Sequence, residues 1–347
     1  MSNHRLLVDY LALSFKDVCY FDLLREALCL PLSEFIECPS KRNYACCVVF
    51  GDCVYLHYTP ENLSADESRH FNPGCFIECS GQGCRQIESW RPDFDWFLFL
   101  HGFDREFREM SSLGSTVAHL ARLDVACDLL DSETIDMNFI DSYVQGFKFV
   151  TKCKRRNISG VYNYSYHRME TIYFGNRRSR SDRLFRIYDK AIEQNLPDAV
   201  KWIRFEFELR NDCALSFYLN LCENKGDWGA VYYGVLYNYL RFVETDAREV
   251  KDYSRLATAD WWSDFCHGVS GLPQLYLPGI PYTGEMLKRY VHTNLASSLR
   301  AYSIYNEGDF SVLKKHIENA GLNRRQYDML VREGKKIGIQ FLSDSAL

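Results

Sequence analysis

The sequence predicts an α+β fold: a large, mainly antiparallel sheet with helices packed on one side, followed by a helical C-terminal region. Two patterns predict it. Apolar and polar residues alternate through 122–128, 184–190 and 202–210, the two-residue period of strands that bury one face and turn the other away. Near the C-terminus the spacing becomes helical, with Leu287, Val291, Leu295, Leu299 and Tyr302 on one helix face. The composition, 47% hydrophobic and 15% aromatic over 347 residues, supplies a packed core and excludes disorder for most of the chain.

Residues 6–15 read as an opening strand, and residues 20–30 as a helix ending near Pro31. Residues 44–50 and 53–58 are β-rich runs joined by Gly51 and Asp52, a short-hairpin signal. Residues 76–79 make a further strand, closed by a glycine turn at 80–85 that reverses the chain or cradles a phosphate. Residues 115–120 lead into the strand 122–128, and 136–147 forms a helix. The β-like runs 161–166, 171–174 and 184–190 precede the strand 202–210, and a helix follows over 211–221. Prolines and glycines in 268–281 predict a linker, 246–281, between a first domain, 6–245, and a helical region, 282–347. The helices expected at 310–320 and 324–336 form a plain hairpin or a helix-turn-helix for duplex DNA.

No apolar run approaches the ~18–20 residues of a membrane span. Asp9 interrupts the N-terminal apolar stretch where a secretory signal needs an unbroken one. Both point to a cytoplasmic protein with no membrane partner. The 14 cysteines form no Cys-x-x-Cys pair and read as reduced, mostly buried thiols. Cys75, Cys79 and Cys84 lack a matching His pair for a zinc site.

The net charge of −5 argues against nucleic acid until its distribution is considered. Residues 152–190 hold eleven basic and three acidic side chains, a local +8, which leaves the rest of the chain at −13. A basic island on an acidic body is an electrostatic footprint for a polyanion. Within it, Tyr162, Tyr164 and Tyr166 share a strand face that packs on a helix or stacks unpaired bases.

Strand periodicity groups the chemistry. Arg122, Asp124 and Asp128 share one face of their strand; Arg186, Tyr188 and Lys190 share another; Arg204, Glu206, Glu208 and Arg210 a third. A solvated face with cross-strand ion pairs is the plain reading. Carboxylates, cations and a tyrosine on neighbouring strands also suit a divalent ion and phosphate chemistry. A phenol is a poor nucleophile at neutral pH, and Arg186 and Lys190, two residues either side of Tyr188, would favour its phenolate.

The runs Thr171-Ile172-Tyr173-Phe174-Gly175-Asn176-Arg177-Arg178-Ser179, Arg186-Ile187-Tyr188-Asp189-Lys190 and 202–210 resemble the replication initiation factor family. That family comprises rolling-circle initiators of plasmids and filamentous phages, with related conjugative relaxases. Val8-Asp9-Tyr10-Leu11, the segment 80–85 and the strand 122–128 extend the resemblance over about 6–245. It implies a metal-dependent nickase and ligase of origin DNA working through a 5′-phosphotyrosyl link, with Mg²⁺ or Mn²⁺ as cofactor. It implies Tyr188 as nucleophile, ahead of Tyr173, and Asp124, Glu206, Glu208 and Asp128 as metal ligands. The basic loop residues Arg177, Arg178, Arg180 and Arg183 would hold DNA. A second protomer and a host helicase are the further partners it suggests. A regulator of the same fold without catalysis, or an unrelated metal-dependent nuclease, are the competing readings.

Overall fold

The computed structural model describes residues 3–335 apart from 17–20, 52, 65, 67–68, 109–117, 155–156, 165–167, 177–181, 198, 251, 267–283 and 323. The chain divides into two compact units, 1–278 and 279–347. The strands of the first are β1 (Asn3–Phe15), β2 (Phe35–Glu37), β3 (Cys46–Phe50), β4 (Val54–Tyr58), β5 (Cys75–Cys79), β6 (Ala118–Leu130), β7 (Phe149–Thr151), β8 (Ile158–Asn163), β9 (Arg168–Phe174), β10 (Arg183–Asp189), β11 (Trp202–Arg210) and β12 (Leu240–Phe242). Ten form one sheet in the order β2-β3-β4-β5-β1-β6-β11-β10-β9-β8, while β7 pairs with β12. Every neighbouring pair in the large sheet is antiparallel.

This order contains an internal duplication. The first half runs β1, helix Phe21–Leu28, β2 to β5, helix Gly81–Trp90. The second runs β6, helix Met137–Gln145, then β8 to β11 and helix Asn211–Glu223, with short β7 added. The two halves meet along β1 and β6, which pair from Asn3↔Leu130 to Phe15↔Ala118, and the sheet reads outward from that seam in matching order on both sides. A bulge between Val8 and Tyr10 takes Asp9 out of the ladder.

One face of the sheet is apolar: Leu11, Leu13, Leu123, Val125, Phe205, Phe207 and Leu209 are buried in a single core with Phe217, Leu221, Tyr232 and Leu236 of the helices behind it. The helix Trp228–Tyr239 gave no periodic signal in the sequence because it is apolar nearly all round, as a fully buried helix is. Its tyrosines keep their hydroxyls satisfied. Tyr232 Oη donates to the carbonyl of Phe205 at 2.8 Å, and Tyr239 Oη to that of Phe174 at 2.8 Å. Such anchors use part of the aromatic surplus. Cys75, Cys79 and Cys84 are buried, free thiols of this core.

Two sequence expectations change. The segment 80–85 is the start of a helix rather than a turn: Ser80 caps it, its side chain accepting from the Gly83 N–H at 3.4 Å. The glycines serve close approach. A Cβ at Gly81 would lie 2.7 Å from Asp9 Oδ1, and one at Gly83 would run into the carbonyl of Cys53. The stretch 246–281 is not a linker from its beginning, because helix Asp260–Phe265 packs into the sheet core. Phe265 lies 4.2 Å from Phe205 between ring centroids, and Trp261 and Trp262 each lie 5.0 Å from Phe242, so this helix anchors onto the first unit. Hydrophobic anchoring outweighs the polar composition around it.

The second unit is helical where described: Gly284–Tyr290, a π-helical turn Val291–Leu295, then Ala296–Tyr305, Ser311–Glu318 and Arg324–Arg332. No helix among the described residues is long and apolar enough to cross a membrane.

Replacing Gly83 by Ala should destabilise the first unit by about 1–3 kcal/mol, the ordinary cost of overpacking against backbone. Urea unfolding of the two proteins measures it.

Candidate active site

The ladder registers bring the expected side chains to the sheet face opposite the helices. Glu208 pairs with Asp124 and Arg204 with Asp128 across β11 and β6; Arg186 pairs with Glu206 and Tyr188 with Arg204 across β10 and β11. This face is not the solvated surface of the plain reading. Glu206 and Asp128 are fully buried, and Arg204 and Tyr188 are only 3% and 8% exposed.

Glu206 stands at the centre. Tyr188 Oη donates to its Oε2 at 2.7 Å, while Arg186 Nη2 donates to its Oε1. Burial first, and then the Glu206 carboxylate, push the Tyr188 phenol well above the usual tyrosine range, with Arg204 and Arg186 pulling the other way. The Arg186 guanidinium and the Lys190 ammonium lie 5.4 and 5.6 Å from the Tyr188 ring centroid. Lys190 does not continue the strand, as its sequence position suggested. It opens the short helix Lys190–Glu193, capped by Asp189, and pairs with Glu193 at 2.5 Å. Tyr173 lies one strand further out, opposite Arg186.

Arg204, to which sequence reasoning gave no role, organises one side of this face. Its Nε and Nη2 donate to the two carboxylate oxygens of Asp128 at 2.6 and 3.0 Å, and its Nη1 donates to Asp9 at 2.6 Å. Asp9, released from the ladder by its bulge, is the other residue that was missed. Burial and then Glu206 raise its carboxyl above the usual range against Arg204 and Lys190. Arg5 adds a 2.7 Å bond to Asp128. Burial alone would raise Asp128, but its bonds to Arg204 hold it below the usual carboxylate range.

The carboxylates expected to bind metal are each engaged by arginine. Arg122 Nη2 lies 2.5 Å from Asp124 Oδ2 and 3.0 Å from Glu208 Oε2, and Arg210 Nε donates to Glu208 at 2.7 Å. A guanidinium nitrogen thus sits between the oxygens that a cation would join. Burial, followed by Glu206 and Glu208 against Arg122, pushes the Asp124 carboxyl up to about 7. Among the described residues, the group whose donor atoms converge is instead His101, Asp104 and Cys222, away from this face. Asp124, Glu206, Glu208 and Asp128, expected as metal ligands, thus each face at least one arginine in this arrangement. That competition is invisible to spacing along a strand.

Of the arginine loop, Arg177, Arg178 and Arg180 fall outside the described residues, as does Tyr166. Arg183 is opposite Leu209, at a position on the helix side, with its guanidinium 4.5 Å over the Tyr239 ring. It is not on the face of Tyr188. Tyr162 and Tyr164 meet edge to face at 5.1 Å on the outer strand β8 and beyond it, both exposed.

The duplication has a counterpart for this site. Glu78 on β5 pairs with Ala12 and Tyr55 as Glu206 on β11 pairs with Ala126 and Arg186. The counterpart of Tyr188 is then His57, buried and bonded to Ser40 at 3.0 Å, and Glu78 is held by Tyr10 and Arg42. The second half alone puts a tyrosine on its glutamate in that position.

The site is thus a buried arginine–carboxylate–phenol network on the face of an antiparallel sheet opposite its helices. The family model described as Replication initiation factor matches residues 118–317, more than half of the chain, and one described as Rolling Circle replication initiation protein N-terminal domain matches 5–101. The chain belongs to this rolling-circle replication initiator family. It is 27% identical over 281 residues, 78% of this chain and 73% of the other, to a Bacillus subtilis (strain 168) protein that bears the name DNA relaxase NicK. Its fold matches the rolling circle replication initiator protein from Geobacillus stearothermophilus with a TM-score of 0.61 at 23% identity, covering 77% of this chain and 97% of that one.

Replacing Arg204 by Met should cost about 3–5 kcal/mol in denaturant unfolding, since it leaves Asp128 and Asp9 without their principal cation. Asp128 titrates lower folded than unfolded, so its stabilisation is complete above about pH 4 and is lost as pH falls through the folded value. Asp128→Asn should be less stable at neutral pH. Its stability should fall less steeply below about pH 4, which unfolding curves at graded pH would record.

Proposed function

We propose that this protein initiates rolling-circle replication by nicking origin DNA with Tyr188 and rejoining it. The observation that carries the reading is the 2.7 Å bond from the Tyr188 hydroxyl to Glu206 between two guanidinium groups. In this reaction Tyr188 Oη forms a bond to the scissile phosphorus and its proton passes to Glu206 Oε2. The bond from phosphorus to the 3′ oxygen breaks, and that oxygen takes a proton from solvent to leave as a 3′ hydroxyl, with the 5′ phosphate on the tyrosine. Attack by a 3′ hydroxyl on the phosphotyrosine reverses the step and joins strands. Arg186 and Arg204, with Lys190, offset charge that develops on the phosphoryl oxygens.

The raised phenol of Tyr188 supports a resting state in which the nucleophile stays protonated. A DNA phosphate that draws Arg186 off Glu206 would turn Glu206 into a stronger acceptor for the phenol proton. The divalent ion implied by the family resemblance is not accommodated by the carboxylates as they stand, with Arg122 between Asp124 and Glu208. The basic island supports Arg177, Arg178 and Arg180 as phosphate-binding groups. Likeness to a protein named a relaxase supports conjugative transfer as the second reading; the chemistry is the same.

Incubated with supercoiled origin DNA and divalent cation, the protein should form a covalent adduct that denaturant does not release. Tyr188→Phe should form none while still binding DNA, because it removes one oxygen and leaves the packing of the ring. Glu206→Gln should slow the nick by about 10²–10⁴-fold, the usual contribution of a general base. An adduct persisting in Tyr188→Phe would rule out this nucleophile.

A further inference from the structure

On the helix side of the sheet, away from Tyr188, side chains from the two halves converge. A ring nitrogen of His101, a carboxylate oxygen of Asp104 and Sγ of Cys222 all lie within 4.8 Å of one another. His101 closes the helix Trp96–His101, Asp104 opens Asp104–Arg108, and Cys222 is in the last turn of Asn211–Glu223. The first two residues follow the strands of the first half, and the third follows β11 of the second.

The group is held in place by its surroundings. Tyr218, one turn before Cys222 and fully buried, donates its hydroxyl to Asp104 Oδ1 at 2.6 Å and lies 3.2 Å from His101 Nδ1. Cys222 Sγ is 4.0 Å from the same Asp104 oxygen. The His101 ring stacks on Phe97 at 5.4 Å. Asp104 is thus oriented by a buried phenol, the kind of supporting hydrogen bond that metal-binding carboxylates use. Ligand atoms around a tetrahedral zinc, with bonds of about 2.0–2.3 Å, stand roughly 3.3–3.8 Å apart. The group needs to contract by little more than about an ångström to enclose an ion.

We propose that His101, Asp104 and Cys222 form a zinc site that ties the helices of the first half to the helix behind β11. Thiolate and imidazole select a borderline ion such as Zn²⁺ and disfavour Mg²⁺ or Mn²⁺. The site therefore differs in kind, as well as in place, from any cation used at the nicking face. Three protein ligands leave a fourth position, which the exposure of His101 opens to water. Binding releases the thiol proton of Cys222 to solvent, and no other bond changes. The role is structural: the ion adds to the bonds and ring packing by which Tyr218 already joins these segments behind the sheet.

Cobalt(II) provides the test, since its bond to a thiolate gives an intense near-ultraviolet charge-transfer absorption that carboxylate and imidazole sites lack. The full-length protein, stripped with chelator and titrated with Co²⁺, should develop this band at one equivalent, and Zn²⁺ should abolish it by displacement. Cys222→Ser should eliminate the band. His101→Ala, at an exposed position that leaves folding intact, should weaken Co²⁺ binding by at least the roughly 10–100-fold that loss of a supporting group costs. Zn²⁺ should raise the Tm of the parent and of Tyr188→Phe, but not of Cys222→Ser. Absence of the band, its persistence in Cys222→Ser, or unchanged affinity in His101→Ala would overturn the site. None of these readouts depends on nicking, so the result stands apart from the function proposed for Tyr188.

Discussion

One buried guanidinium holds much of this structure in register. Arg204 projects from β11, grips both oxygens of Asp128 on β6 and reaches Asp9 on β1, so a single side chain ties three strands across the seam between the halves. In a buried setting such a network is satisfied as a whole or is strongly destabilising. It fixes where β11 lies relative to β6. The β10–β11 ladder then sets where Tyr188 stands relative to Glu206. The bulge that frees Asp9 and the glycine at 81 that makes room for it belong to the same arrangement.

The duplicated sheet explains how a catalytic-looking face can be built from a chain with no repeat legible in its sequence. Two βαββββα halves joined edge to edge give a long sheet whose centre is formed by their first strands, the longest in the molecule. The halves have diverged in chemistry while keeping a glutamate in the equivalent place. Around Glu78 the partners are Tyr10 and Arg42, and around Glu206 they are Tyr188 and Arg186. Divergence of side chains on a shared backbone plan is what permits one half to support the other.

The polar face is closed and nearly charge-balanced. Arginines satisfy the carboxylates, and the Tyr188 hydroxyl keeps its proton and donates it in a hydrogen bond to Glu206 behind a desolvated wall. A polyanion is the natural agent to open it, because phosphate oxygens compete for the same guanidinium donors. Burial, more than the neighbouring Glu206 and Glu208, raises the Asp124 carboxyl to about 7 against the pull of Arg122.

The sequence alone determined the antiparallel, one-sided sheet and the membership of Arg122, Asp124, Arg186, Tyr188, Glu206 and Glu208 in one polar face. Side-chain alternation along a strand has a fixed period of two and survives any tertiary arrangement. The family resemblance named Asp124, Tyr188, Glu206 and Glu208 among them. Tertiary structure decided the rest. Asp9 and Arg204 meet through a contact 195 positions apart in the chain, and no local pattern encodes such a distance. Helix Trp228–Tyr239 has apolar residues all round and so offered no period to read. The arginine partners of the carboxylates come from register between strands, which spacing within a strand cannot supply. The convergence of His101, Asp104 and Cys222 likewise arises only when the two halves close their helices over one core, because desolvation selects partners by distance in space.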